Sequence, residues 1–280
     1  MMSKVVCLTL DIEADFHNSR GDILLFEQKQ IFKQYTDLIN RHKAKVTAFL
    51  VTSILNRYEK NLRHLEQQIP IEYEVHSHQH DLTQPCSATD IIEASRYYQQ
   101  FTGHKPMGYR APVGQINSEG WDTLFKLGFK YDSSIYPSYR PGKLGYNHLK
   151  VPVSPFRVTN GKKSLTEFPF GSLSGLRLVF SLSYVKLLGW STFKNLARLF
   201  PLPGQFLMLS HPYDFYFHQV QSDTKGWETP LLARNAAQAF DIYDQMLTFL
   251  HQQGYEFMFA SELLNKIEKT DLPTFKIENL

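Results

Sequence analysis

Short apolar runs recur along the chain and alternate with segments whose apolar residues fall three and four apart, the rhythm of parallel strands joined by crossover helices. The runs predict strands at Val5–Leu10, Lys45–Val51, Ile71–Val75, Met107–Arg110, Phe129–Ser133, Gln205–Leu209 and Tyr255–Ala260. Between them, Phe26–Arg41 repeats Ile31, Tyr35, Leu38 and Ile39 on one helical face, and Ala88–Phe101 follows Ser87, a suitable N-cap. Thr229 followed by Pro230 reads as a cap with proline at the first helical position, opening one long helix to about Gln253. No repeat or linker divides the pattern. It predicts a single α/β domain over 1–280, a distorted (β/α)7 barrel with its functional residues at the carboxyl ends of the strands.

The polar residues that interrupt the pattern sit where that architecture needs them. Asp11 and Glu13 follow the first strand, His76 to His80 the third, Arg110 the fourth, and His211 the run Phe206–Ser210. Two carboxylates one residue apart on an extended chain share a face, and nearby acids can divide labour between a metal and a proton. His76-Ser77-His78-Gln79-His80 is a dense cluster for a chain with 11 histidines in 280 residues. Extended, all three would face one way; helical, His76 and His80 would align without His78. Either geometry offers two imidazoles to one metal, and a carboxylate from the first strand completes a set with positions open for water. Arg110, before the proline-fixed turn Ala111-Pro112-Val113-Gly114, can orient a carboxylate through paired hydrogen bonds. A histidine released from an apolar strand, His211, suits a general acid.

Composition narrows the partners. Thirty basic against 27 acidic residues, +3 in all, is too balanced for a nucleic-acid binder held by phosphate contacts. Two cysteines, Cys7 and Cys86, form neither a metal spacing nor a disulfide framework, which reads as a reducing compartment. The apolar stretch before Asp11 is too short for a signal peptide, and Leu178–Trp190 is interrupted by Lys186 and serines before it reaches the length of a membrane span. The expected location is the cytoplasm. Residues 168–213 contain no acid but carry Arg177, Lys186, Lys194 and Arg198. On one continuous helix within 176–203 the basic residues would lie opposite Val185, Leu188, Phe193, Leu196, Leu199 and Phe200, the pattern of peripheral contact with an anionic membrane. A helix packing its apolar face on the strands satisfies the same periodicity and is the stronger expectation.

Together the motifs resemble the polysaccharide deacetylase family, the family 4 carbohydrate esterases with the NodB homology domain. That family shows T-F-D-D, H-[ST]-x-x-H, R-x-P-[YF]-G and a late strand ending in histidine. This chain reads T-L-D-I-E from Thr9, H-S-H-Q-H from His76, R-A-P-V-G from Arg110 and L-S-H-P from Leu209, in the same order from about Lys4 to Leu264. It departs in Asp11-Ile12-Glu13, similar to branches acting on small amides and lipid-linked sugars, and in Val113, where the family carries an aromatic.

The resemblance implies Glu13, His76 and His80 as ligands of a divalent metal, zinc foremost, with cobalt, manganese, iron or nickel as alternatives. It implies Asp11 as general base acting on a metal-activated water, Arg110 as its orienting partner, His211 as general acid, and the Val113 N–H as an oxyanion donor. His78 has no counterpart among the ligands. An acid is expected behind His211, and Glu167 is the candidate for that role or for substrate contact, with Asp132 the weaker one. The implied enzyme removes an N-acyl group, acetyl before formyl, from an amino sugar in a cytosolic glycan or glycolipid. The alternatives are a deacetylase or deformylase of a small non-glycan amide, and a non-haem iron oxygenase using the same two-histidine, one-carboxylate set. Nothing in the sequence bears on oligomeric state.

Overall fold

Val5–Ile12 (β1) is buried along its whole length, which an apolar run with no alternation requires of a parallel strand covered on both faces. A computed structural model describes residues 3–16, 20–142, 145–220 and 229–280. After β1 the chain runs through helices Leu24–Glu27 (α1) and Lys29–Arg41 (α2), strand Val46–Leu50 (β2), helix Leu55–Gln68 (α3) and strand Ile71–Val75 (β3). Helix Ala88–Thr102 (α4), strand Gly108–Tyr109 (β4), helix Ser118–Leu127 (α5) and strand Tyr131–Asp132 (β5) complete the first half.

The second half departs from a strict strand–helix alternation. A two-stranded hairpin, Tyr139–Arg140 (β6) with Tyr146–Asn147 (β7), leads into an antiparallel pair, Phe156–Thr159 (β8) and Ser164–Glu167 (β9). Helices Leu182–Leu188 (α6) and Trp190–Leu199 (α7) precede strand Gln205–Ser210 (β10). Helices Thr229–Ala233 (α8) and Ala239–Gln252 (α9), strand Glu256–Phe257 (β11), helix Ala260–Ile267 (α10) and strand Thr274–Lys276 (β12) follow.

All seven expected strands are present, in a sheet ordered β10-β1-β2-β3-β4-β5-β9-β8-β12, with β11 also paired to β1. The architecture is the expected single-domain α/β fold, but its sheet is not closed. Between β5 and β10 the chain after β9 supplies an isolated parallel bridge, Phe170 to Leu207. The core divides by the parity of β1. Val5 and Cys7 point inward with Phe49, Tyr131, Phe168 and Leu207, whereas Val6, Leu8, Leu10 and Ile12 face the helices. That alternation carries Thr9 and Asp11 to the inner face, where they end the strand above the inner core.

Two helical expectations are corrected. The long helix from Thr229 is broken: α8 ends at Ala233, Asn235 adopts a left-handed conformation (φ 55°), and a 3-10 turn at Ala236–Gln238 precedes α9. The stretch 176–203 holds two helices divided at Gly189 (φ 84°, ψ 140°). Lys186 is fully buried, not on a basic outer face, and Leu199, assigned to the apolar face, is 74% exposed. Val185 and Phe193 are buried in the core, as packing on the strands requires. No helix among the described residues is long and apolar enough to cross a membrane.

Candidate metal centre and active site

Register places the chemistry at one end of the sheet. Leu10 pairs with Ser210, Asp11 with Phe49, and Leu50 with Val75. Just past the ladder, the His76 N–H donates to Leu50 O at 2.8 Å and the Arg110 N–H to Val75 O at 2.9 Å. Asp11, His76, Arg110 and His211 therefore leave adjacent strands at the same level. They line a cleft of about 830 Å³ together with Glu13, His80 and Val113.

The histidine cluster is neither extended nor helical but a pinned turn. Ser77 (φ 77°) and His80 (φ 55°) are left-handed, a conformation that costs a non-glycine residue about 1–3 kcal/mol. Asp90 at the start of α4 holds the turn by accepting from the His78 and Gln79 N–H groups at 2.8 and 2.9 Å. Ser77 Oγ accepts from the His80 N–H at 3.0 Å. The turn brings the His76 and His80 rings to 5.1 Å and turns His78 away. The His78 ring stacks on Tyr97 at 4.6 Å, with Nδ1 2.9 Å from Thr52 Oγ1, a structural role.

Glu13, His76 and His80 place one potential ligand atom each within 4.8 Å of one another. Glu13 Oε2 lies 2.7 Å from His80 Nε2 and 3.7 Å from His76 Nε2. It is buried and has no partner in hydrogen-bonding alignment. A buried carboxylate oxygen left without a hydrogen bond and facing two ring nitrogens fits a cation. The electrostatics agree with that fit. Burial would raise the Glu13 carboxyl, but the neighbouring histidines, His80 foremost, outweigh it and hold it at about 2. Burial keeps His76 neutral, lowered to about 4, and its Nδ1 lies 2.9 Å from Arg110 O. A proton on Nδ1 leaves the Nε2 lone pair for a metal. Tyr213 donates to Glu13 Oε1 at 3.2 Å and orients it.

Asp11 lies beside this set, 3.8 Å from His76 Nε2. Arg110 donates to Asp11 Oδ1 and to Thr9 Oγ1, and its other nitrogens reach Ser133 O at 3.0 Å and Ser133 Oγ at 2.9 Å. Its guanidinium is held between the Phe49 and Phe170 rings, at 4.0 and 4.5 Å from their centroids. A cation so enclosed is fixed in place, and with it the carboxylate it binds. Val113 is left-handed too (φ 51°, ψ 16°), strained for a β-branched residue. Ser134 Oγ anchors this turn by accepting from the Ala111 N–H at 2.8 Å.

Opposite Asp11 stands His211, its ring stacked on Tyr213 at 4.8 Å. Its Nδ1 is 3.2 Å from Asp214 Oδ2, which also accepts the His211 N–H at 2.9 Å. Burial would lower the imidazole, but Asp214 raises it to about 9. The acid behind His211 is therefore Asp214, and the expectation of Glu167 or Asp132 in that place is corrected. Those two carboxyls meet each other beneath the Arg110 turn. Burial raises both, Asp132 to about 6 and Glu167 well above the usual carboxylate range, where the charge of Asp132 adds to the rise. Glu167 Oε1 accepts the Ile135 N–H at 2.9 Å, and Asp132 accepts from the Ser134 N–H and Oγ. Neither carboxyl lines the cleft. Sequence reasoning missed Asp214, although His211-Pro212-Tyr213-Asp214 carried the signal: an acid three residues on can cap the turn that proline begins.

The strand ends of this α/β sheet gather two imidazoles, a carboxylate and an acid–base pair, an arrangement suited to hydrolysis at a metal, and comparison with known proteins finds a family that part of the chain resembles. The sequence model of the polysaccharide deacetylase family matches residues 2–131. Over those residues, less than half of the chain, the sequence is similar to that family. Among solved structures, one from Mycobacterium smegmatis described as a polysaccharide deacetylase is 14% identical, with a TM-score of 0.60 over 98% of this chain and 93% of that one. Peptidoglycan deacetylase PdaC from Bacillus subtilis, in its D285S mutant, is 15% identical at TM-score 0.51, covering 95% and 92%. Puue allantoinase is 12% identical at TM-score 0.58, covering 95% and 90%. At these identities the likeness is one of fold. No curated protein matches the sequence.

Proposed function

We propose that this protein is a metal-dependent deacetylase that removes an N-acyl group, acetyl foremost, from an amino sugar in a cytosolic or lipid-linked glycan. The observation that carries the reading is the placement of Glu13, His76 and His80 between two tuned arms, Asp11 with Arg110 on one side and His211 with Asp214 on the other. A divalent cation, zinc foremost, would be held by Glu13, His76 and His80 and would supply Lewis acidity toward the acyl carbonyl and the attacking water. Asp11, fixed by Arg110, takes a proton from that water as its oxygen bonds to the acyl carbon. The Val113 N–H is the backbone donor to the oxygen that becomes negative. His211 gives its proton to the nitrogen as the C–N bond breaks, so the amine leaves neutral and one water is consumed per acyl group released. An oxygenase on the same ligand set would have no use for Asp11 and His211 as a proton-taking and a proton-giving pair.

A second reading, hydrolysis of a small non-glycan amide, is favoured by the Asp11-Ile12-Glu13 spacing and the fold shared with an allantoinase. One experiment tests both. Zinc-loaded protein is offered N-acetylated chitooligosaccharides, nucleotide sugars, lipid-linked amino sugars, and formylated and cyclic small amides, and released acetate, formate and amine are quantified. Release from a sugar carries the proposal; release from the small amides alone replaces it with the second reading, and release from none discards both.

A further inference from the structure

Behind Asp214 lies a group that the reaction above does not use. Lys186 of α6 is fully buried, yet its side chain runs inward to the turn that carries the acid. Its Nζ donates to Asp214 O at 2.6 Å and lies 3.4 Å from Asp214 Oδ1. Ser183, one helical turn earlier, donates to the same Oδ1 at 2.6 Å. Asn235 fixes this part of α6 from the far side, its Nδ2 donating to Lys186 O at 2.7 Å. Burying an ammonium is costly unless it is paired, and α6 could have satisfied its packing with leucine. The buried cation is spent on Asp214.

Resting on the reading of His211 as general acid, we propose that Lys186 is a positioning residue that sets the acid strength of His211 by sharing the Asp214 carboxylate with it. The two cations divide the carboxylate by oxygen: His211 Nδ1 faces Oδ2, and Lys186 Nζ faces Oδ1. A buried aspartate paired with a histidine strengthens the ring's hold on its proton. A second positive charge on the same carboxylate weakens that hold. It has a further effect once His211 has lost its proton. Lys186 then remains as the counter-charge of Asp214, so no buried anion is stranded. The other charged groups that face His211 are Glu13 and Asp11 from β1 and His80 from the turn after β3; Tyr213 covers one face of its ring. None of these replaces the charge on Oδ1.

The test compares Lys186→Met, Lys186→Arg and Asp214→Asn in the full chain. Loss of the lysine charge strengthens the His211–Asp214 pair, so the basic limb of the kcat/KM profile should move up by about one pH unit, with a fall in kcat and little change in KM. Asp214→Asn should move the limb the other way, and Lys186→Arg should restore it toward the wild type. The same displacements should appear in the NMR titration of the His211 imidazole in metal-free protein. That readout stands even if no substrate is found, so failure of the functional reading is distinguishable from failure of this one. If Lys186→Met is too unstable to purify, Lys186→Gln, which keeps a donor without the charge, takes its place in both measurements. A limb and a titration that stay put in the folded charge-free variant, or that move down together as in Asp214→Asn, overturn the proposal and leave Lys186 a structural strut.

Discussion

At the level of single side chains, the two carboxylates of Asp11-Ile12-Glu13 have neighbours that separate their roles. Glu13 meets imidazoles and Tyr213, whereas Asp11 meets a guanidinium. His76→Ala and His80→Ala should each remove most of the bound metal, measured by elemental analysis after dialysis against zinc. Asp11→Asn should retain it and lose about 10²–10⁴-fold in turnover, the usual share of a positioned acid or base. If Asp11→Asn strips the metal while Glu13→Gln keeps it, the two roles are exchanged. Tyr213→Phe removes the hydroxyl that orients Glu13, and metal affinity should drop about 10-fold or more, read by competition with a chromophoric chelator. The ligand types and strand-end positions were legible because histidines and paired acids rarely end buried strands without reason. Glu167 misled because an isolated acid after an apolar strand looks alike whether it faces a cleft or, as here, is fully buried and accepts the Ile135 N–H.

Among the elements, legibility followed burial. β1, β2 and β10 are runs with both faces covered, so their apolar residues are nearly continuous and easily read. The antiparallel pair β8–β9 has one face half open, with Arg157 and Thr166 at paired positions, and its mixed composition concealed it. The break between α6 and α7 was hidden for another reason, since Gly189 divides a periodicity that continues through it. Its φ and ψ lie in territory that side chains avoid, and Gly189→Ala should lower stability by about 1–3 kcal/mol in chemical denaturation. Leu199→Ala, at an exposed site, should be near neutral. The β5–β9 pairing also carries a pH signature. Asp132 and Glu167 both titrate higher in the folded chain than in an unfolded one, so between about pH 4 and about pH 6 and above the folded state holds more protons. Their contribution is full at the acid end and is lost as pH rises. In Glu167→Gln the melting temperature should fall less across that window than in the wild type; an equal fall would show that Glu167 does not carry this signature.

For the molecule as a whole, the site rests on a sheet that has its own core, and the proposed metal would be an addition to a fold already complete. Chelation should abolish activity and leave the far-ultraviolet circular dichroism unchanged. Restoring zinc to about 100 times its dissociation constant should raise stability by about 2.7 kcal/mol, visible as a higher melting temperature. Collapse of the spectrum on chelation would instead make the metal part of the fold.

The isolated bridges from Phe170 to Leu207 and from Ser181 to Leu209 give that sheet a seam. The ladders joining β1 to β10 and to β2 run for six and five residue pairs, but here single bridges, among them the Gly171 N–H to Leu207 O at 2.8 Å, join one side to the other. Gly171 lies so close to Phe206 that a Cβ would fall 2.3 Å from that ring, which ties the seam to glycine. A sheet joined there by isolated bridges is more compliant than along its ladders. The amide protons of Gly171 and Phe180 should exchange with solvent well before those of Leu8 and Leu10. The opening they report would let the wall bearing Phe170 move against β10, widening the cleft that both Phe170 and Leu209 line.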